Sequence, residues 1–131
     1  MYNYLKSHNL IYANQSGFLT GHSTVYQLID LYHQIAQSFD HKTHTCVVFC
    51  DIFKAFDRVW HSGLLVKIRQ LDIRGNLLTW TDNYISNRQQ QVLIGQSHSR
   101  SNRISAGVPQ GSVLGPLLFL VFVNDITENL V

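Results

Sequence analysis

The feature that most constrains this chain is the run Val47-Val48-Phe49-Cys50, closed at once by Asp51. Four apolar residues without alternation are the pattern of a strand covered on both faces. At a sheet edge in water such a run would invite aggregation. The run therefore predicts a buried strand over residues 45–50 and, with it, a mixed class: α/β in the α+β sense, helices packed on a small sheet. A carboxylate is delivered at the end of that strand.

The rest of the chain supplies helices and one hairpin. Residues 1–22 read as irregular, closing on the glycine-containing stretch Gln15 to His22. Thr24 and Gln27 have capping-box spacing, and Val25, Leu28, Tyr32, Ile35 and Phe39 recur at three- and four-residue steps. They predict a helix that ends near Asp40, followed by a turn at Asp40-His41-Lys42-Thr43. Ser62 caps a further helix with Leu64, Leu65, Ile68 and Leu71 inward, which Gly75 ends. The next helix carries Leu77, Trp80, Tyr84 and Ile85, and Asn87 stops it. Residues 91–94 form a strand, Gly95-Gln96-Ser97-His98 a turn, and a second strand returns through Ile104. A glycine-rich loop at residues 107–111 opens onto a last helix from Gly115 to Asp125, with Pro116 in its first turn. The sheet so built is incomplete.

Bulk properties narrow the class. A chain of 131 residues is one domain or less. Its 45% hydrophobic content is globular. The 14% charged content is low against about 25% in typical domains, which suits a chain with much interior. A net charge of +2 does not by itself indicate nucleic-acid binding. Local clusters matter more: Arg88, Arg100 and Arg103 flank the hairpin, and Lys54 and Arg58 sit beside Asp51. Cys46 and Cys50 share one face of the predicted strand and stand too far apart to bridge. Buried, reduced cysteines fit an intracellular protein, in cytoplasm or nucleus. No apolar segment precedes a cleavage site, and the apolar run at residues 117–123 is far short of the roughly 18 needed to span a bilayer. The expectation is a soluble, non-secreted protein. The seven histidines lack zinc spacing and read as solvated. Ser112 lies in no Gly-x-Ser-x-Gly elbow. Trp60, Trp80 and Tyr84 read as core.

Two places carry chemistry. A carboxylate fixed at a strand end is a good ligand for Mg²⁺, which takes carboxylate oxygens together with phosphate and water. Asp51 is that residue, and the backbone carbonyl of Ile52 adds a second oxygen. The bland alternative is that Asp51 caps a strand–helix turn. In the loop, Gly107 and Gly111 permit close backbone approach to a ligand, and Gln110 offers a donor and an acceptor on one short arm.

Taken whole, the run Asp51-Ile52-Phe53-Lys54-Ala55-Phe56-Asp57-Arg58-Val59-Trp60-His61 and the run Gly107-Val108-Pro109-Gln110-Gly111-Ser112-Val113-Leu114-Gly115-Pro116-Leu117-Leu118-Phe119 resemble the palm of reverse transcriptases, in particular those of non-LTR (LINE-like) retrotransposons. The resemblance covers about residues 13–128 and treats the chain, 1–131, as one partial domain, a slice of the fingers and palm. It implies an RNA-directed DNA polymerase using two-metal nucleotidyl transfer, with RNA template, DNA primer and deoxynucleoside triphosphates as partners and Mg²⁺ as cofactor. In it Asp51, with the Ile52 carbonyl, binds the metal. Phe56 lies under the sugar of the incoming nucleotide and disfavours a 2′-hydroxyl. Gln110, flanked by Pro109 and Gly111, contacts that nucleotide. Asp57 is structural, and Asn124-Asp125-Ile126 marks a helix end. Two positions depart from the family: Leu19 and His22 stand where arginines are usual, so a phosphate contact there is in doubt. The family's Ala-Asp-Asp turn, which completes the metal site, is not in this sequence. The chain alone is therefore expected to be inactive. The alternative is a non-catalytic truncated or domesticated remnant that at most binds nucleic acid. Phe56 and the Pro-Gln-Gly loop weigh against an RNA-templated RNA polymerase.

Overall fold

The computed structural model describes residues 1–127. In chain order the elements are α1 (Tyr2–Ser7), α2 (Thr24–Asp40), a 3-10 turn (Ala55–Arg58), α3 (His61–Gln70), α4 (Gly75–Ile85), β1 (Gln89–Gln90), β2 (Leu93–Ile94), β3 (Ser97–His98), β4 (Asn102–Arg103) and α5 (Leu114–Val123). They fall into two compact units. One joins Met1–Tyr12 to the described residues from Lys54 onward, and the other is Ala13–Phe53. Helices with small antiparallel sheets make the mixed α/β class that the sequence implies.

The first unit holds the core. Leu64 and Ile68, four apart on α3, are fully buried, with Leu118 and Val121 of α5, Ile85 of α4, Leu5 of α1, and Val59, Ile73 and Val108 from the connections. Each such aliphatic side chain contributes about 1.5–3 kcal/mol by leaving water. Helix α3 packs against both α4 and α5. Helix α5 is apolar nearly all round, as a helix inside a body must be. The polar groups drawn inward are satisfied. The Thr81 hydroxyl donates to the Leu77 carbonyl at 2.8 Å. The Lys67 ammonium donates to the Phe122 carbonyl at 2.6 Å and pairs with Asp125. Asn124 ties the N-terminal segment to the end of α5: its amide donates to the Leu10 carbonyl at 2.9 Å, and its oxygen accepts the Tyr12 N–H at 2.8 Å.

Several boundaries differ from the sequence reading. Tyr2–Ser7 is helical, not irregular, because Leu5 has a place in the core. Helix α3 starts at His61 without a side-chain cap from Ser62. It ends at Gln70; past its cap, Leu71, Asp72 takes the left-handed conformation (φ +60°) that short polar side chains tolerate. Gly75 is then the first residue of α4, not the end of α3. Asn87 (φ +57°) follows α4, as its stop position implied. The hairpin forms with a shorter turn. Leu93 pairs with His98 and Ile94 with Ser97, so Ser97 and His98 are strand, and only Gly95-Gln96 turns. Below it Gln89 pairs with Arg103 and Gln90 with Asn102.

In the second unit, α2 runs to Asp40 as the periodicity predicts. Its cap is Ser23, one residue earlier than expected, whose oxygen accepts the Tyr26 N–H at 3.3 Å. No residue of α2 is buried. The predicted strand at residues 45–50 does not form: these residues have no regular structure and are exposed, Phe49 to 84%. A strand exists only through a hydrogen-bonded neighbour, and among the described residues Ala13–Phe53 contains no strand to pair with it. Cys46 and Cys50 are accordingly exposed free thiols, not buried ones. Trp60 (63% exposed) and Trp80 (50%) are likewise not core; the Trp80 ring stacks on Tyr84 at 5.4 Å. Among the described residues no helix is long and apolar enough to cross a membrane.

Candidate functional site

The site is built where the 3-10 turn meets the glycine-rich loop. Lys54 adopts a left-handed backbone (φ +52°), and its carbonyl accepts the N–H groups of Asp57 at 3.0 Å and Arg58 at 3.2 Å. The tight turn swings the Phe56 ring inward onto Phe119 of α5, with centroids 4.7 Å apart and planes 19° from parallel. Two main-chain bonds then clamp the loop to this turn. Val108 N–H donates to the Phe56 carbonyl at 2.9 Å, and Gly107 N–H to the Val59 carbonyl at 2.8 Å. Gly107 is itself fixed by geometry: its φ is +94°, and a Cβ there would lie 2.9 Å from the Cα of Asp57.

The far side of the loop is held as firmly. The Ser112 hydroxyl donates to the Pro109 carbonyl at 2.7 Å and accepts the Gly115 N–H at 2.9 Å. It thus satisfies a first-turn amide of α5 that would otherwise be an orphan. Gly115 allows the approach, since a Cβ there would run into the Pro109 carbonyl. Between these anchors Val108 is buried, Pro109 half-buried, and Gln110 and Gly111 exposed. The loop presents its amide side chain outward from a rigid base.

The loop, turn and hairpin together wall a groove of about 540 Å³, lined among others by Lys54, Asp57, Arg88, Gln90, Arg103 and Gln110. Arg88 precedes β1 and Arg103 lies in β4, so the Gln89–Arg103 register brings both to one end of the hairpin. Arg103 is oriented by donating to the Asn87 oxygen at 2.9 Å. Three cations face one carboxylate here, with amides beside them. That chemistry suits an anion carrying phosphate, since arginine forks onto phosphate oxygens and glutamine serves sugar or base. The volume is within the usual range for small-molecule sites, about 300–1,000 Å³.

Of the residues singled out in the sequence, the structure brings Phe56, Pro109, Gln110 and Gly111 together in this unit. Asp51 and Ile52 belong to the other unit, where both are exposed and outside any regular element. The expected strand end does not hold Asp51. Among the described residues no three His, Cys, Asp or Glu side chains group to hold a metal ion. The oxygen donors Asp51 and Ile52 have the right hardness for a divalent cation, yet such an ion would draw most of its ligands from phosphate and water. Sequence reasoning named His61 and Phe119 only as members of the two runs, and it grouped Lys54 with Asp51 and not with Arg88 and Arg103, beside which Lys54 lines the groove. It also missed Ser112 as an anchor, although its three-residue spacing to Gly115 is that of a cap.

The sequence also matches known proteins. Residues 1–131 match the family described as "Reverse transcriptase (RNA-dependent DNA polymerase)". The chain is 44% identical over 113 residues to a probable RNA-directed DNA polymerase from transposon BS of Drosophila melanogaster, covering 86% of this chain and 12% of that protein. It is 40% identical over 115 residues to the corresponding protein from transposon X-element of the same fly, 88% of this chain and 13% of the relative. To the RNA-directed DNA polymerase from its mobile element jockey it is 38% identical over 115 residues, 88% and 12% respectively. The chain thus spans about an eighth of the length of these curated relatives. No solved structure matches it.

Proposed function

Because this chain belongs to the reverse transcriptase family, in its non-LTR retrotransposon branch, we propose that it supplies the nucleotide-facing surface of an RNA-directed DNA polymerase of the fingers–palm type. The observation that carries this reading is the groove in which Lys54, Arg88 and Arg103 converge beside Gln110. The three cations receive phosphates of the incoming deoxynucleoside triphosphate or of the RNA template and DNA primer. Gln110 meets the sugar. The Phe56 ring, backed by Phe119, sets the floor that a 2′-hydroxyl would strike.

Asp51 and the Ile52 carbonyl are the oxygen ligands the chain offers to a divalent ion, Mg²⁺ by its preference for carboxylate and phosphate. Such an ion, when bound, neutralises charge on the transferring phosphoryl group. The contribution of the remaining residues is positional. The clamp of Phe56 and Val59 on Val108 and Gly107 holds Gln110 at a set height above the turn, so that the nucleotide meets preformed partners.

The reading is tested with a labelled RNA-template/DNA-primer duplex and deoxynucleoside triphosphates. The chain is expected to bind the duplex, and Lys54→Ala, Arg88→Ala and Arg103→Ala together should flatten the log–log salt dependence by about two to three units. Primer extension that Asp51→Ala abolishes would establish catalysis. Binding without extension would favour the non-catalytic nucleic-acid binder. An unchanged salt slope in the triple variant would show that the groove does not hold the nucleic acid.

A further inference from the structure

His61 stands outside the groove, yet it touches the loop that carries Gln110. Its Nε2 lies 2.8 Å from the Gly107 carbonyl, in a part-buried setting. A carbonyl oxygen only accepts, so Nε2 must carry the proton. His61 is the first residue of α3, and α3 is rooted in the core through Leu64 and Ile68. The ring therefore links a rigid helix to the loop.

We infer that His61 is a positioning residue, its Nε2–H holding the Gly107 peptide so that the following Pro109-Gln110-Gly111 segment is presented in one orientation. Residue Gly107 is held on both sides: its N–H by the Val59 carbonyl at 2.8 Å and its oxygen by His61, while the Val108 N–H of that second peptide bonds to the Phe56 carbonyl at 2.9 Å. Gly107 is buried. Without the imidazole its oxygen would be a buried acceptor short of a partner, which the loop would relieve by turning toward water. Gly107 has the φ freedom to make that turn. Pro109 has no N–H of its own with which to resist it. The inference rests on the proposed nucleotide-facing role of the loop for its functional meaning, but not for its geometry.

The test uses the 131-residue chain and two substitutions. His61→Gln keeps an amide N–H the same number of bonds from the backbone; His61→Leu keeps bulk and removes the donor. At about pH 8 nitrogen NMR should show His61 protonated at Nε2. His61→Leu should speed amide exchange at Gly107 and Val108 by about tenfold while leaving Leu64 to Ile68 unchanged, and His61→Gln should restore the slow rates. A proton on Nδ1, unchanged exchange in His61→Leu, failure of His61→Gln to restore it, or equal loosening of α3 would overturn the assignment. The same three proteins are then titrated with dGTP and Mg²⁺. Weaker binding by His61→Leu alone supports the functional meaning. If the unsubstituted chain binds no dGTP while tautomer and exchange behave as stated, the nucleotide reading falls and the positioning role stands.

Discussion

Gly107 shows how much a single residue can fix. Its φ of +94° is open to glycine and strained for any residue with a Cβ, and the space a Cβ would need is occupied by the backbone of Asp57. Backbone cannot yield as a flexible side-chain tip can. Gly107→Ala should therefore destabilise the chain by about 1–3 kcal/mol, read as a lower urea midpoint at unchanged slope. A midpoint within error of the original would mean that the turn and loop are not clamped as described. The glycine was legible in the sequence as a point of close approach, but its partner was not. The sequence suggested close approach to a ligand; the structure also places the main chain of Asp57, fifty residues earlier, where a Cβ would lie. Asp57 had been read as structural; its backbone fills the space beside Gly107, and its side chain also lines the groove. Gln110 was legible with its exposure, because a Gly/Pro-rich stretch between a hairpin and an apolar helix has nowhere to go but the surface.

At the scale of elements, periodicity foretold helices well and their surroundings poorly. Val25, Leu28, Tyr32, Ile35 and Phe39 do share a helix, α2, yet none is buried. A repeat tells which side chains share a face; what that face meets depends on the rest of the chain. Leu64 and Ile68 carry the same signal on α3 and are fully buried. The consequence is a contrast in cost. Val25→Ala and Tyr32→Ala should each change stability by about 0.5 kcal/mol or less, whereas Leu64→Ala and Leu118→Ala should each cost about 2–5 kcal/mol, all by urea unfolding of the isolated chain. Equal losses on α2 would show its face to be covered. The strand expected at residues 45–50 failed for a related reason. An apolar run states a need for burial, but only a neighbouring strand supplies the hydrogen bonds. Ser112 gives the opposite lesson: a short polar side chain three residues before Gly115 is a local signal. Ser112→Ala should cost about 1 kcal/mol by leaving an α5 amide unpartnered.

Across the whole molecule, burial is uneven. Among the described residues every buried aliphatic residue, from Leu5 to Val121, belongs to the unit made of Met1–Tyr12 and the described residues from Lys54. Ala13–Phe53 contributes none of them. Amide exchange should therefore be slowest in α3 and α5 and markedly faster in α2, because local opening costs least where little apolar surface is re-exposed. Uniform protection would contradict the division. Such long-range features were the least legible of all. Nothing in composition or spacing announces that the hairpin end, the 3-10 turn and the Pro-Gln-Gly loop share a groove, since their joining depends on main-chain bonds between residues far apart in sequence. The resemblance of the two runs to one family brought the turn and the loop together beforehand, but not the hairpin end.

If this groove receives a nucleotide, as proposed, the side chains that line it will report the binding. The most direct test is NMR titration of the isotopically labelled chain with dGTP and Mg²⁺, following the side-chain signals of Gln110, Arg88 and Arg103. Saturable shifts of all three are expected, with Arg100, which does not line the groove, unmoved and the response lost in Arg88→Ala/Arg103→Ala. Shifts confined to Arg100 or to α2, or no saturable shift at Gln110, would contradict the proposal.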